Sequence, residues 1–140
     1  MQKKVHKLKD FYPDEYQLIA IASHQSDYRL SWALNQQFNW YLTQSDDLVV
    51  KPPKDGKNQH FSRFSYSEPQ NNSYHLIANK SQDGFCIPSM SNIDFLLKIN
   101  GGFTKEDLHP VIEKIRKIDF VITAFLLENL REKDQKKLIF

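Results

Sequence analysis

The 140-residue chain predicts an α+β fold: a ferredoxin-like two-layer sandwich with two helices on one face of a mostly antiparallel sheet. Three observations carry this. Two stretches place apolar residues at the spacing of a helix buried on one side: Leu30, Ala33, Leu34 and Phe38 in the first, and Leu108, Val111, Ile112 and Ile115 in the second. Each follows an apolar segment of strand length, and the region between them alternates with period two and is punctuated by turn residues. The resulting order is β-α-β-β-β-β-α-β, and it leaves the second face of the sheet open to solvent, a partner or another copy of the chain.

The first strand is Tyr16 to Ala22, an almost unbroken apolar run short enough to lie inside the sheet with both faces buried. Ser26 and Asp27 then supply an N-cap for a helix running through Asn39. Leu48, Val49 and Val50 form a second strand, stopped by Pro52 and Pro53 because proline donates nothing to a ladder. Lys54 to Gln59 is a polar loop. His60 to Ser67 and Tyr74 to Asn79 alternate on either side of Glu-Pro-Gln-Asn-Asn, as in a β-hairpin. Ile93 to Ile99 sets Ile93, Phe95, Leu97 and Ile99 on one face and Asp94 and Lys98 on the other, the pattern of a strand covered on one side, and Gly101 and Gly102 end it. The second helix begins between Thr104 and Asp107, which places Pro110 in its first turn or two, and ends in Lys114, Arg116 and Lys117. Phe120 to Leu127 is the last strand.

The length suits one domain over residues 1–140, with a basic leader at 1–10 and a charged tail at 131–140 that ends in Leu138, Ile139 and Phe140. That apolar ending needs a place to bury, on its own sheet or in a partner's groove. Hydrophobic residues make up 40% and charged residues 26%, which is globular composition. The lone Cys86 has no partner for an internal disulfide, and the first thirty residues lack a signal-peptide apolar stretch, so a cytoplasmic location is expected. No apolar run reaches the ~18 residues of a membrane span. The net charge of +2 is concentrated in Lys3, Lys4, Lys7 and Lys9 rather than spread over the body, which argues weakly for nucleic acid.

Residues 87 to 95 read Ile-Pro-Ser-Met-Ser-Asn-Ile-Asp-Phe. This segment resembles the motif that names the bacterial IPExxxVDY family. Ser23 to Trp32 with Leu34 and Asn35, and the ending Leu-Ile-Phe, are similar to other parts of that family's pattern, so the resemblance covers nearly the whole chain. It brings no established activity with it. Ser89 stands in the place of the glutamate, Ile93 of the valine and Phe95 of the tyrosine. Neither that carboxylate nor that phenol can transfer a proton here. The motif therefore reads as a structural strand and the turn before it, with Pro88 fixing φ.

His24, Asp27, Tyr28 and Arg29 fall where the first strand meets the first helix, whose free N–H groups favour anions. With Asn35 a turn or two further on, they form a candidate pocket for phosphate or carboxylate. The structural alternative is that Ser26 or Asp27 caps the helix while Tyr28 and Trp32 pack together on the core side. Phe61, Arg63, Phe64, Tyr66 and Tyr74, with His60 and His75 beside them, place aromatic and cationic groups on neighbouring strands, as a platform for single-stranded RNA does. Alternation puts Phe61 and Arg63 on one face and Phe64 and Tyr66 on the other, which favours core packing. No histidine or cysteine pair has zinc spacing, no cofactor motif is present, and Cys86 is expected to be a small buried hydrophobe. The function expected is that of a non-enzymatic binding or accessory protein engaging a protein partner or a second copy, with RNA association or anion sensing as alternatives.

Overall fold

The computed structural model describes residues 16–52, 56–69 and 72–140, so the basic leader, part of the polar loop and the tip of the hairpin lie outside the described residues. The elements in order are β1 (Gln17–Ser23), α1 (Asp27–Phe38), β2 (Thr43–Val50), β3 (Gln59–Ser67), β4 (Ser73–Ala78), the short pair β5 (Lys80–Ser81) and β6 (Gly84–Phe85), a 3-10 turn (Pro88–Met90), β7 (Phe95–Asn100), α2 (Lys105–Arg116), β8 (Val121–Leu126) and α3 (Glu132–Lys137). Six strands form one sheet in the order β2-β3-β4-β7-β1-β8, and every adjacent pair in it is antiparallel.

Local chemistry accounts for both main helices. Ser26 Oγ accepts the Arg29 N–H at 3.2 Å, and the left-handed Asn39 (φ 61°) closes α1 by donating its N–H to Asn35. Thr104 and Asp107 form a reciprocal capping box at the start of α2, at 3.2 and 2.8 Å. Pro110 is the sixth residue of α2, within its second turn. The strand from 17 to 23 lies between β7 and β8 and is buried on both faces, Ile19 and Ile21 in the core under the helices and Leu18 and Ala20 in the core of the opposite face.

The two sheet faces have separate cores. Ile19, Ile21, Phe64, Tyr74, Leu76, Phe95, Leu97 and Ile99 meet Leu30 and Leu34 of α1 and Leu108, Ile112 and Ile115 of α2. Leu18, Ala20, Phe61, Ile77 and Leu96 point to the other side. Contrary to the expectation of an open face, that side is covered: Cys86, Ile87 and Ile93 from the loop before β7, and Leu138 from the tail, pack over it. Leu138 is fully buried, so the tail folds back on its own sheet.

Three further expectations change. β7 begins at Phe95, and Ile93 belongs to the loop that covers the second face rather than to the strand's helix-covered face. Lys98 does not face water, because the returning tail buries it completely. β2 also starts earlier than its apolar residues indicate, since Thr43 to Asp47 is an exposed polar edge with a register shift between Ser45 and Leu48.

Candidate functional site

At the end of β1 a hollow of about 520 Å³ is lined by residues that include Ser23, His24, Asp27, Ser62, Lys80 and Asp94. The structure brings His24 and Asp27 together there. Asp27 Oδ1 accepts its following N–H, from Tyr28, at 2.6 Å, and Asp27 Oδ2 accepts a hydrogen bond from Ser62 Oγ. Arg29 leaves the hollow and lies over the Phe120 ring at 5.3 Å. Asn35 is a clasp: its side-chain amide donates to Leu42 O at 3.1 Å and accepts from Leu42 N–H at 2.8 Å. Tyr28 and Trp32 are 70% and 55% exposed, so they do not pack on the core side. The first N–H groups of α1 are occupied by Ser26 and Asp27, and the cation in the hollow, Lys80, is paired with Asp94 at 2.7 Å. These groups hold one another.

Asp94 is the acid of the Ile-Pro-Ser-Met-Ser-Asn-Ile-Asp-Phe segment. Besides pairing with Lys80 it accepts the Ser23 N–H at 2.8 Å, tying the end of β1 to the β5–β6 hairpin. Asn79 organises the same segment from below. Fully buried, its side chain donates to Met90 O and Ile93 O at 3.0 and 2.9 Å and accepts from Ile87 N–H at 2.9 Å. Its carbonyl receives the Cys86 N–H at 2.8 Å. One amide thus fixes the loop over the second face, and nothing local in the sequence distinguishes this asparagine from those of the turns.

The aromatic hairpin does not form a common platform. Phe61 is buried in the second-face core, Phe64 and Tyr74 in the helix-side core, and Tyr66 packs against the latter. Tyr74 stacks on Trp40 at 4.1 Å and donates its hydroxyl to Glu68 at 3.0 Å; burial first, then that bond, raises its pKa. Arg63 lies on the second face, as alternation predicts, with its guanidinium 4.7 Å from the centroid of the Phe140 ring.

The cluster around that ring escapes local reading. Lys98 Nζ is 3.5 Å from the Phe140 centroid and 5.0 Å from that of Tyr16, and His75 meets Phe140 edge-on at 5.0 Å. Ser65 Oγ bonds His75 Nδ1 at 2.8 Å and Ser45 Oγ at 3.0 Å, while Arg63 Nε donates to Ser45 Oγ at 3.2 Å. Burial, followed by the charges of Lys98 and Arg63, lowers the His75 pKa to about 4. Burial, followed by Arg63, lowers that of Lys98 to about 8. Beside this cluster lies a hollow of about 660 Å³ whose walls include Leu48, Val50, Arg63, Phe140 and several lysines.

Among the described residues, no group of three or more His, Cys, Asp or Glu side chains is placed to hold a metal ion, and no helix is long and apolar enough to cross a membrane. Cys86 is buried and its thiol is pushed up to about 11, chiefly by burial. Fold and site together define a small α+β chain with a self-covered sheet and a cationic cluster beneath its tail. No family model matches the chain, and no curated protein is significantly similar to it.

Proposed function

We propose that the chain is a non-catalytic binding protein that acts through protein–protein contacts, with the outer face of α1 as the contact surface and a second copy of the chain as its partner. The observation that carries this is the character of that face. Tyr28 and Trp32, four apart, are exposed along it, followed by Gln36 and Gln37, with Arg29 beside them. The exposed residues of α2, by contrast, include Lys105, Glu106, His109, Glu113, Lys114 and Arg116, an ordinary solvated face. Interface centres are rich in Tyr and Trp and poor in charge. A nearly neutral face also pairs with its own two-fold copy without like-charge repulsion, which the lysine-rich tail could not do.

The absence of catalytic chemistry in this reading rests on how the polar groups are spent. Asp27, Asp94, Asn79 and Asn35 are engaged in capping, pairing and loop clasps. We also read the sheet as a ferredoxin-like sandwich extended by a hairpin. The order β8-β1-β7-β4 with α1 and α2 on one side supports that reading, β3 and β2 being the addition. Membership of the IPExxxVDY family is retained as a proposal, supported by the structural use of Asp94 in the motif segment.

Sedimentation equilibrium tests the proposal. The wild type is expected to be dimeric at micromolar concentration and Trp32→Glu monomeric, with an unchanged circular dichroism spectrum because the side chain is exposed. A wild type that stays monomeric up to millimolar concentration would overturn it.

A further inference from the structure

Three neighbouring strands each aim a basic side chain at the tail-covered face. His75 on β4 is directly opposite Lys98 on β7 and Ser65 on β3, and Arg63 is two residues along β3 on the same side. Basic groups in a buried row repel, and burial removes the water that would screen them. Counter-charge is the usual remedy, yet among the described residues the groups that meet Lys98 and Arg63 are Phe140, Tyr16, His75 and Ser45. The Lys98 ammonium is fully buried and has no hydrogen-bond partner among the described residues. Aromatic faces attract it, but they fill none of its three donors. Among the described residues, the Arg63 guanidinium hydrogen bonds through Nε alone, to Ser45 Oγ.

We propose that Arg63 and Lys98 form a binding site for the dianion of a phosphate group, free or as a monoester, and that Phe140 is the removable plug of that site. Two groups that are cationic at pH 7, beside a neutral imidazole, call for two negative charges. A phosphate dianion supplies them, together with the acceptors that the ammonium lacks. His75 supports this role by staying neutral: its pKa near 4 leaves Nε2 or Nδ1 as a single donor rather than a third charge. The approach is cationic too. The hollow of about 660 Å³ that reaches Arg63 and Phe140 is walled by Lys51, Lys133, Lys136 and Lys137, with Asp47 the carboxylate among its lining residues. Of these, Lys137 is committed to Cys86 O and Asp134, at 2.8 and 3.0 Å, and Lys136 stands 3.8 Å from Glu132. Among the described residues nothing pairs with Lys51 and Lys133, which are left to steer an anion inward.

The plug is built to move. Phe140 is 38% exposed and Ile139 is similar, while Leu138 is fully buried and anchors the segment. Swinging the Phe140 ring aside uncovers Lys98 without disturbing that anchor.

The test measures inorganic phosphate binding by calorimetry at constant ionic strength in the full chain, with acetate as the monoanion control. Phe140→Ala is expected to bind phosphate at least ~10-fold more tightly than the wild type, because the plug no longer competes. Adding Lys98→Met to Phe140→Ala is expected to reverse the gain by ~10-fold or more. Lys98→Met replaces an unpartnered ammonium by an apolar chain of similar length, so loss of folding is not the cause of that effect. Lys133→Gln in the same background is expected to cost under ~3-fold, and acetate to bind more weakly than phosphate throughout. Phosphate affinity unchanged by Phe140→Ala, or equal with and without Lys98, would overturn the proposal. So would an oligoribonucleotide whose binding survives Lys98→Met while phosphate shows none, which would make the lysine-walled hollow a polyanion surface instead.

Discussion

Replacing Lys98 by methionine should make the protein more stable, because the amine is charged, buried and without a hydrogen-bond acceptor among the described residues. The magnitude follows from its pKa, lowered from 10.5 to about 8 by burial first and Arg63 second. At about 1.4 kcal/mol per pH unit, holding the proton in the folded state costs about 3 kcal/mol. Methionine forfeits the attraction to the Phe140 and Tyr16 rings, about 1–2 kcal/mol, so the net gain at pH 7 is about 1–2 kcal/mol, or a few degrees in Tm. The pH dependence has a definite sign. Between about 8 and 10.5 the unfolded chain holds a proton on Lys98 that the folded chain has released, so wild-type stability rises through that window on this account. Cys86, pushed up to about 11, and Tyr74, pushed up further still, oppose the rise at higher pH, but both are present in the variant and cancel in the difference. Urea unfolding of both proteins from pH 7 to 10, in phosphate-free buffer, is the assay. The advantage of Lys98→Met should be greatest at pH 7 and fade towards pH 10. A variant less stable at pH 7, or a difference independent of pH, would refute the reasoning.

Other residues give sharp expectations. His75, lowered to about 4 by burial and then by Lys98 and Arg63, is neutral when folded while the unfolded chain protonates near 6.5. Stability should therefore fall by about 3 kcal/mol as pH drops from 6.5 to 4, and His75→Gln should flatten that limb of the urea-midpoint profile. Asn79→Ala strands the Ile87 N–H and the Met90 and Ile93 carbonyls and should cost about 3 kcal/mol or more, read by urea unfolding, with faster hydrogen exchange across residues 86 to 94. Cys86 should react with a thiol reagent at pH 8 about a hundredfold more slowly in the folded protein than in urea, since its raised pKa withholds the thiolate.

The sequence exposes those parts of the fold that depend on near neighbours. Ser26 and the spacing of Leu30, Ala33 and Leu34 define α1 without help from the rest of the chain, and alternation correctly divides Phe61 and Arg63 from Phe64 and Tyr66. Lys98 could not be read this way. Its burial depends on Leu138 and Phe140 returning from some forty residues away, and a lysine in an alternating strand ordinarily marks the wet face. Thr43 to Asp47 escaped because an edge strand with a register shift needs no apolar residues on its exposed part. The grouping of His24, Asp27, Tyr28 and Arg29 was legible as a junction. Which way each side chain turns depended on partners outside it: Ser62 for Asp27 and Phe120 for Arg29.

The charge sealed beneath the tail is most directly examined by an NMR titration of the lysine side chains labelled at Cε and Nζ. One signal, assigned by its loss in Lys98→Met, should carry a ring-current shift from Phe140 that disappears in Phe140→Ala, and should titrate near pH 8. A Lys98 signal without that shift, titrating above 10 with the other lysines, would contradict a buried ammonium under the Phe140 ring.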